Sequence, residues 1–304
     1  FIFGGQDTSG NRLNTIESIK IASAGGNVDF GDTIASIKRT TGFSSSTRAV
    51  IAGGDDSATG GKVNVIQHIT MASSGDATDF GNLDKARSGC SSLSNSTRGV
   101  ISHGSDGSFN NVIQYVTIGS TGNASDFGNL TVSRVHGTAT SSTTRGLFAG
   151  GAISGNTSNV IDYITIGSTG NASDFGDLST TREQGLDGRG SNGTRGVFCG
   201  GSSKQTPNAG SDNPQNIIEY VTIANTGNTT DFGDLSAVRL LTAAVVGGDR
   251  LLVTGGSSTE NATNGVNIME FITITSTGNA TDFGDLGTAK LEMAGTSDGH
   301  GGLS

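Results

Sequence analysis

The chain has 304 residues, 50 of them Gly, a net charge of −9 and a pI near 4.8. The acidic balance argues against a nucleic-acid partner, because no basic stripe exists to displace counterions from phosphates. No apolar run is long enough to cross a membrane and no lipidation motif occurs, so membrane insertion is not expected. The first residue is Phe, which favours a processed chain or one part of a longer polypeptide.

An Asp-Phe-Gly motif recurs six times along the chain. Its copies lie at residues 29–31, 79–81, 126–128, 174–176, 231–233 and 282–284. A second marker is a Gly pair after a short apolar run, as in Gly53-Gly54 and Gly150-Gly151, and the third repeat has His103-Gly104 at that place. A period near ~50 residues is typical of propeller blades and solenoids.

The residues inside one repeat indicate four short strands. Alternation of β-branched residues over 112–118 is typical of a half-buried strand, and no stretch has apolar residues at helical spacing. In the repeat after the third motif we expect an inner strand of small residues, a second strand, a third strand and an outer strand. These are predicted at 135–142, 145–150, 159–166 and 174–179. Four antiparallel strands repeated radially make a propeller blade.

The two ends of the chain fit closure of a ring. The first repeat lacks an inner strand, whereas residues 294–299 form an inner strand without a repeat of its own. Pairing this C-terminal strand with the N-terminal strand would complete a sixth blade and remove an unpaired sheet edge. The sequence therefore predicts an all-β protein, a single domain over 1–304 that forms a six-bladed β-propeller.

The order of marker residues in each repeat resembles the kelch repeat. Gly150-Gly151, Asn159, Tyr163, Phe175 and Arg182 follow one another as the kelch pattern requires. The chain departs from that pattern because Phe replaces the common Trp, and because Lys290 stands where most repeats have Arg. The resemblance implies a propeller of kelch-like blades. Variants of the segment around 275–285 also resemble repeats of phage and environmental viral tail proteins.

Two sets of repeated residues are interpreted as structural. The first set comprises the Phe residues of the motif, which are Phe30, Phe80, Phe127, Phe175, Phe232 and Phe283. The second set comprises Arg134, Arg182 and Arg239, which precede the inner strands. We expect Asp174 and Arg182, with their equivalents, to form repeated ties within or between blades. Tyr115, Tyr163 and Tyr220 occupy one strand position in successive repeats, as packing residues do.

No motif in the sequence indicates catalysis or a cofactor. Asp-Phe-Gly is also a protein-kinase signature, but the catalytic loop and the lysine strand are missing and six copies are present. The oxygen-rich turn at 168–177 could hold calcium, although Asn, Asp and Ser in tight turns usually hydrogen-bond the backbone. The four His residues lack metal-ligand spacing, and Cys90 and Cys199 lie in different repeats, so no metal site and no disulfide is predicted.

Function is expected in the loops between the second and third strands, which differ in every repeat. They span 6–13, 55–63, 105–110, 152–158, 202–215 and 257–266. The longest loop contains both prolines and supplies the candidate ligand-binding residues Lys204, Gln205, Asn208, Asp212 and Asn213.

The preferred hypothesis is a non-enzymatic binding domain on an extracellular or virion appendage. Its partners would be a host-surface glycan or protein together with other subunits of the appendage. The alternative is a purely structural spacer or assembly module, which predicts that the repeated turns are buried in an assembly contact. A glycan-active enzyme would need paired carboxylates in a cleft, and no pair is apparent.

Overall fold

Six small β-sheets stand in a ring around one axis in the computed structural model, which describes residues 1–188, 190–203, 213–259 and 264–297. The described residues form strands and turns without a helix. The predicted six-bladed β-propeller is therefore confirmed. We number the blades by the Asp-Phe-Gly motif that each contains.

The first three blades each have four strands, which are named in order from the axis outwards. Blade 1 consists of Ala294–Gly295, Ile2–Phe3, Thr15–Ile19 and Asn27–Asp32. Blade 2 consists of Thr41–Ser44, Arg48–Ala52, Val65–Thr70 and Thr78–Asn82. Blade 3 consists of Ser91–Ser94, Arg98–Ser102, Asn110–Thr117 and Ser125–Arg134.

The other three blades have the same order of strands, although the inner strand of blade 5 is paired differently. Blade 4 consists of Thr138–Ser141, Arg145–Ala149, Val160–Thr165 and Ser173–Asp177. Blade 5 consists of Leu186–Gly188, Arg195–Cys199, Ile217–Thr222 and Thr230–Asp234. Blade 6 consists of Thr242–Gly247, Arg250–Thr254, Val266–Thr273 and Thr281–Leu291. The strands predicted for blade 4 agree with the observed ones to within three residues at either end.

Short two-residue strands occur in the loops and linkers, where they pair with a linker or within one loop. They are Gln6–Asp7, Ile37–Lys38, Asp55–Asp56, Ala152–Ile153, Asn156–Thr157, Ser202–Ser203 and Asn213–Pro214. Gln6–Asp7 pairs with the end of the outer strand of blade 6, and Ile37–Lys38 pairs with Asp55–Asp56. Each loop between second and third strands therefore begins against the linker that enters its own blade.

The ring is closed as the sequence predicts. Ile2 pairs with Gly295 and Phe3 pairs with Ala294, so the C-terminal strand is the inner strand of blade 1. The N-terminal ammonium donates to the carbonyl oxygen of Thr296 at 2.7 Å. This antiparallel pairing joins the two ends of the chain inside one sheet.

Blade 5 departs from the expected four antiparallel strands. Its inner strand, Leu186–Gly188, pairs in parallel with the inner strand of blade 6. Among the described residues, the segment after this strand contacts the second strand of blade 5 at the Ser191–Gly196 bridge and through the Val197 amide, which donates to the Gly190 carbonyl at 2.6 Å. A Cβ at Gly190 would lie 2.5 Å from the carbonyl oxygen of Val197, so glycine permits this close approach.

The hydrophobic core lies in the seams between neighbouring blades. One cluster joins Leu147 and Phe175 of blade 4 to Phe198 of blade 5, and the other seams contain similar clusters. Five of the six motif Phe rings are 2% to 3% exposed, and Phe30 is half-buried. The third-strand aromatic residues meet them edge to face, as Tyr163 meets Phe175 with ring centroids 6.1 Å apart. The repeated Tyr residues are thus packing residues.

The turns between third and outer strands bind the preceding blade. In blade 4, the amides of Gly170 and Ala172 donate to the carbonyls of Phe127 and Asn129, and Asn171 Oδ1 accepts the Asn129 amide at 3.0 Å. A Cβ at Gly128 would lie 2.3 Å from the Gly170 oxygen, so the motif needs glycine there. Equivalent bonds recur at other seams. These bonds account for the repetition of the turn.

Candidate functional site

The variable loops and the linkers between blades share one face of the ring. This follows from the strand order, because second-to-third loops and outer-to-inner linkers leave their strands at the same end. The repeated turns occupy the opposite face. We call the first the variable face and the second the repeated face.

A closed ring of backbone hydrogen bonds surrounds the axis on the variable face. One residue from each linker donates its amide to the carbonyl of the equivalent residue in a neighbouring linker, at distances of 2.7 to 3.1 Å. These six positions, which we call the axial collar, are Arg39, Gly89, His136, Gln184, Leu241 and Glu292. The bonds run from Arg39 to Glu292 and onward until they return to Arg39, so all six blades take part.

The collar backbone is left-handed at every position. The φ angles lie between 54° and 65°. The described residues contain six non-glycine residues with positive φ, and five of them belong to the collar. Each such residue costs of order 1 kcal/mol or more relative to glycine. Five different side chains therefore occupy collar positions that share the same strained, left-handed backbone conformation.

Charged side chains concentrate on one side of the collar. Glu292 Oε2 lies 2.8 Å from Lys38 Nζ, and Glu292 Oε1 accepts a 2.7 Å bond from Arg39 Nε. Burial alone would raise the pKa of Glu292, but Arg39 and Lys38 outweigh it and hold the pKa below its ordinary value. Asp55 lies 3.7 Å from Arg39 Nη1. The guanidinium is thus positioned by two carboxylates while its side chain stays 37% exposed.

The opening inside the collar is narrow. It has a volume of about 40 Å³ and is lined by each collar residue and the residue that follows it, such as Cys90 and Met293. That volume accommodates roughly one water molecule. A Cβ at Gly89 would lie 2.6 Å from the His136 ring, so the missing side chain makes room for the imidazole. A ligand would contact the collar from outside and would not enter the axis.

His103, which replaces the first glycine of the Gly pair in blade 3, is buried beside the collar. Its side chain is 1% exposed, and neither ring nitrogen has a hydrogen-bond partner among the described residues. Burial, and then the nearby Arg134, lower its pKa well below the ordinary value. A Cβ at Gly137 would lie 3.0 Å from His103 Nε2, so a small residue in blade 4 accommodates the larger one in blade 3.

Buried ion pairs connect neighbouring blades beneath the collar. Arg134 Nη2 donates to Asp162 Oδ2 at 2.7 Å, and both side chains are fully buried. Burial lowers the pKa of Arg134 to about 10, although Asp162 acts in the opposite direction, so the guanidinium stays protonated at neutral pH. The same pairing occurs in Arg182 with Glu219, Arg239 with Glu270 and Lys290 with Glu17. We call these contacts the seam pairs.

The seam pairs correct one expectation from the sequence. Arg182 binds Glu219 of the next blade, and the expected tie between Arg182 and Asp174 is wrong because Asp174 is exposed on the outer strand. At the seam between blades 1 and 2, Ile37 and Gln67 occupy the two positions. Gln67 Oε1 accepts the amide of Ile34 at 2.8 Å. A neutral pair thus replaces the ionic one there.

The loops of blades 1 to 3 are held by their own side chains and by each other. Asp7, Asp56 and Asp106 each accept amide hydrogen bonds from residues two positions later. Arg12 donates to the carbonyl of Asp56, and Lys62 Nζ donates to Ser105 Oγ at 3.2 Å. The three loops therefore form one connected surface with a fixed backbone.

Most of the candidate ligand residues of the longest loop lie outside the described residues. These are Lys204, Gln205, Asn208 and Asp212. Asn213 is described, and it is exposed and pairs with Ser203. Its carbonyl accepts a 2.7 Å bond from Gln215 Nε2. Asn213 thus lies on the variable face at the base of its loop.

Cys90 and Cys199 are both buried, and neither forms a disulfide. Burial raises the pKa of Cys199 to about 12, against the opposing effect of Arg182 and Arg239. Within the ranges described above, no three His, Cys, Asp or Glu side chains are arranged to hold a metal ion. The same ranges contain no helix long and apolar enough to cross a bilayer.

Comparisons with known proteins show similarity at the level of fold. No protein-family model and no curated protein matches the chain. A solved structure titled "Structure of YjhT" superposes with a TM-score of 0.69 and covers 93% of this chain and 96% of that chain. The two sequences are 12% identical over the alignment. At that identity the similarity indicates a shared β-propeller architecture.

Two groups of residues were missed from the sequence. The first comprises the acids of the seam pairs, which always directly precede the third-strand aromatic position. The second is the axial collar, two residues after each seam-pair cation and after the equivalent residues Ile37 and Arg87. Aligning the six repeats with one another locates both sets of positions. Nothing in the residue types of the collar marks them, because they share no chemistry.

Proposed function

We propose that this chain is a non-enzymatic binding domain, a kelch-like propeller that contacts a host-surface glycan or protein through its variable face. The domain would cover residues 1–304 and would belong to an extracellular or virion appendage together with other subunits. The association with an appendage rests on the resemblance of the repeated segment to phage tail proteins and on the acidic, polar composition.

The axial collar is the observation that carries this proposal. A propeller needs a left-handed residue at each collar position, and glycine satisfies that need at the lowest cost. Only Gly89 does so, whereas Arg39, His136 and Gln184 place polar side chains there. Strain of this kind persists mainly where a side chain has a use. The collar lies at the centre of the variable loops, where a bound ligand would contact several blades.

The repeated face supports a binding role for the opposite face. An assembly module was attractive because the turns repeat so closely. Those turns already bind the preceding blade through backbone amides and Asn side chains. Repetition is therefore explained within the molecule and needs no external contact. Loop variation has no comparable internal explanation.

The ionic pattern at the collar favours binding over catalysis. Glu292 is the carboxylate among the residues that line the opening, and it is engaged by Lys38 and Arg39. Its lowered pKa makes it a weak base. A hydrolase acting on glycans needs two carboxyl groups that flank the bond to be cleaved, whereas Asp55 and Glu292 both face the Arg39 guanidinium. The pairing instead fixes the Arg39 guanidinium as a hydrogen-bond donor.

The test is adhesion of the labelled protein to a glycan array and to a panel of bacterial surfaces. The variant His136→Ala with Gln184→Ala removes two polar collar side chains and keeps a Cβ at each left-handed position. The control Thr169→Ala changes an exposed residue of the repeated face. We expect adhesion of the wild type and of the control, with at least a tenfold loss in the collar variant. Absence of adhesion to every surface, or equal adhesion of all three proteins, contradicts the proposal.

A further inference from the structure

One aromatic side chain of the chain is exposed, and it lies on the variable face. All 13 Phe and three Tyr residues fall within the described ranges. Of these, Phe109 alone is exposed, at 41%, and the others are buried or half-buried. Phe109 belongs to the loop of blade 3 between second and third strands. Phe109 belongs to none of the buried clusters that fill the seams.

The loop presents Phe109 on a fixed backbone. Phe109 pairs with Ser105 across the loop, and Asn110 Nδ2 donates to the Gly104 carbonyl at 2.7 Å. Ser105 Oγ accepts the Gly107 amide, and Asp106 Oδ1 accepts the Ser108 amide, both at 3.2 Å. A ligand that stacks on the ring would therefore meet a loop that is already ordered, which lowers the entropic cost of binding.

Charged hydrogen-bonding groups lie in the loop that carries Phe109 or contact it. Lys62 from the loop of blade 2 donates to Ser105 Oγ at 3.2 Å, and Lys85 Nζ lies 3.6 Å from Asp106 Oδ2. Each ammonium has three donors, and the Lys85 side chain is 65% exposed. The Asp106 carboxylate can accept more bonds than the one it receives from Ser108. Donors and an acceptor are thus available in the same loop as the exposed aromatic ring.

We propose that Phe109, with Lys62, Lys85 and Asp106, forms a saccharide-binding site at the edge of the variable face. A pyranose has one face of C–H groups, which packs on an aromatic ring, and hydroxyls around its edge, which match ammonium and carboxylate groups. A protein partner is a poorer match. Protein interfaces bury clusters of apolar anchors, and the other exposed large apolar residues, Val28, Ile34 and Val238, lie outside blade 3.

This inference rests on the proposed function and names its ligand class and contact point. The test is saturation-transfer NMR, with amide chemical shifts, on the full chain with methyl glycosides of glucose, galactose, mannose and N-acetylglucosamine at millimolar concentration. The matched variants are Phe109→Ala and Val28→Ala, each of which removes an exposed apolar side chain. Both should keep the melting temperature of the wild type.

We expect at least one glycoside to shift the amide resonances of residues 105–110. Its dissociation constant should rise at least about fivefold in Phe109→Ala and should not change in Val28→Ala. The inference is overturned if no glycoside shifts these amides, or if the two variants bind alike. The proposed function is judged separately. Adhesion that depends on the collar but not on Phe109 supports the proposed function and rejects this site. Glycoside binding at Phe109 without adhesion supports the site and rejects the proposed function.

Discussion

The amide of Arg39 donates a 3.0 Å hydrogen bond to the carbonyl of Glu292, although the two residues are 253 positions apart. Their side chains meet as well, through Arg39 Nε and Glu292 Oε1. Two contacts at one place thus join the first linker of the ring to the last. Because the core is divided among seams, stability depends on how well each seam is made, and the repeats supply internal controls for testing this.

Removing one partner of the seam pair Arg134 and Asp162 should destabilise the protein strongly, whereas replacing both partners should destabilise it little. Arg134→Ile leaves a buried carboxylate without its cation and should lower the free energy of unfolding by about 3 to 5 kcal/mol. The double variant Arg134→Ile with Asp162→Gln copies the Ile37 and Gln67 pair of the first seam and should recover most of the loss. Urea denaturation of the three proteins measures this. If both variants lose the same free energy of unfolding, the unpaired Asp162 carboxylate is not the cause of the destabilisation.

The motif glycine should be irreplaceable where a neighbouring turn touches it. Gly128→Ala places a Cβ 2.3 Å from the Gly170 oxygen and should destabilise the protein by about 2 to 4 kcal/mol. Gly119→Ala is the control, because no atom lies within 4 Å of its Cβ position. Thermal unfolding should separate the two variants clearly. If the Gly128→Ala protein is as stable as the control, the close contact between the turn and the preceding blade does not contribute to stability.

The depth of the motif Phe should decide the cost of truncating it. Phe127 is 2% exposed, and Phe127→Ala should cost about 3 to 5 kcal/mol through loss of burial and the cavity it leaves. Phe30 is half-buried at the equivalent place, so Phe30→Ala should cost roughly half as much. Denaturant midpoints of the two variants give the comparison. Similar losses would contradict the view that these rings act through burial in the seams.

The repeats made the propeller architecture predictable from the sequence, whereas the ion pairs in the seams could not be predicted from it. Alternation in the third strand and the Gly pair depend on local geometry, so each repeat reports the same blade. Asp162 and Arg134 belong to different repeats, and the acid position varies among Asp, Glu and Gln, which hides the pairing. The collar depends on left-handed φ angles in linkers whose side chains share nothing. Only the closed ring brings those positions together.

Acid should destabilise the protein through His103 before it affects the carboxylates. Folding keeps this imidazole neutral because burial and Arg134 lower its pKa, whereas the unfolded chain takes up a proton near the ordinary value of 6.5. The contribution is complete above that pH and is lost progressively as pH falls below it. Between pH 6.5 and 5 the free energy of unfolding should fall by about 1 to 2 kcal/mol.

The variant His103→Gly isolates this effect, since it restores the Gly pair that blade 2 has as Gly53-Gly54. It removes the titrating group and should flatten the dependence on pH between 6.5 and 5, whatever its stability at neutral pH. Glu292, whose pKa is lowered, loses its contribution only at more acidic pH, so the two windows are separate. Urea denaturation across this range is the measurement. An unchanged slope in His103→Gly would assign the acid sensitivity to another group.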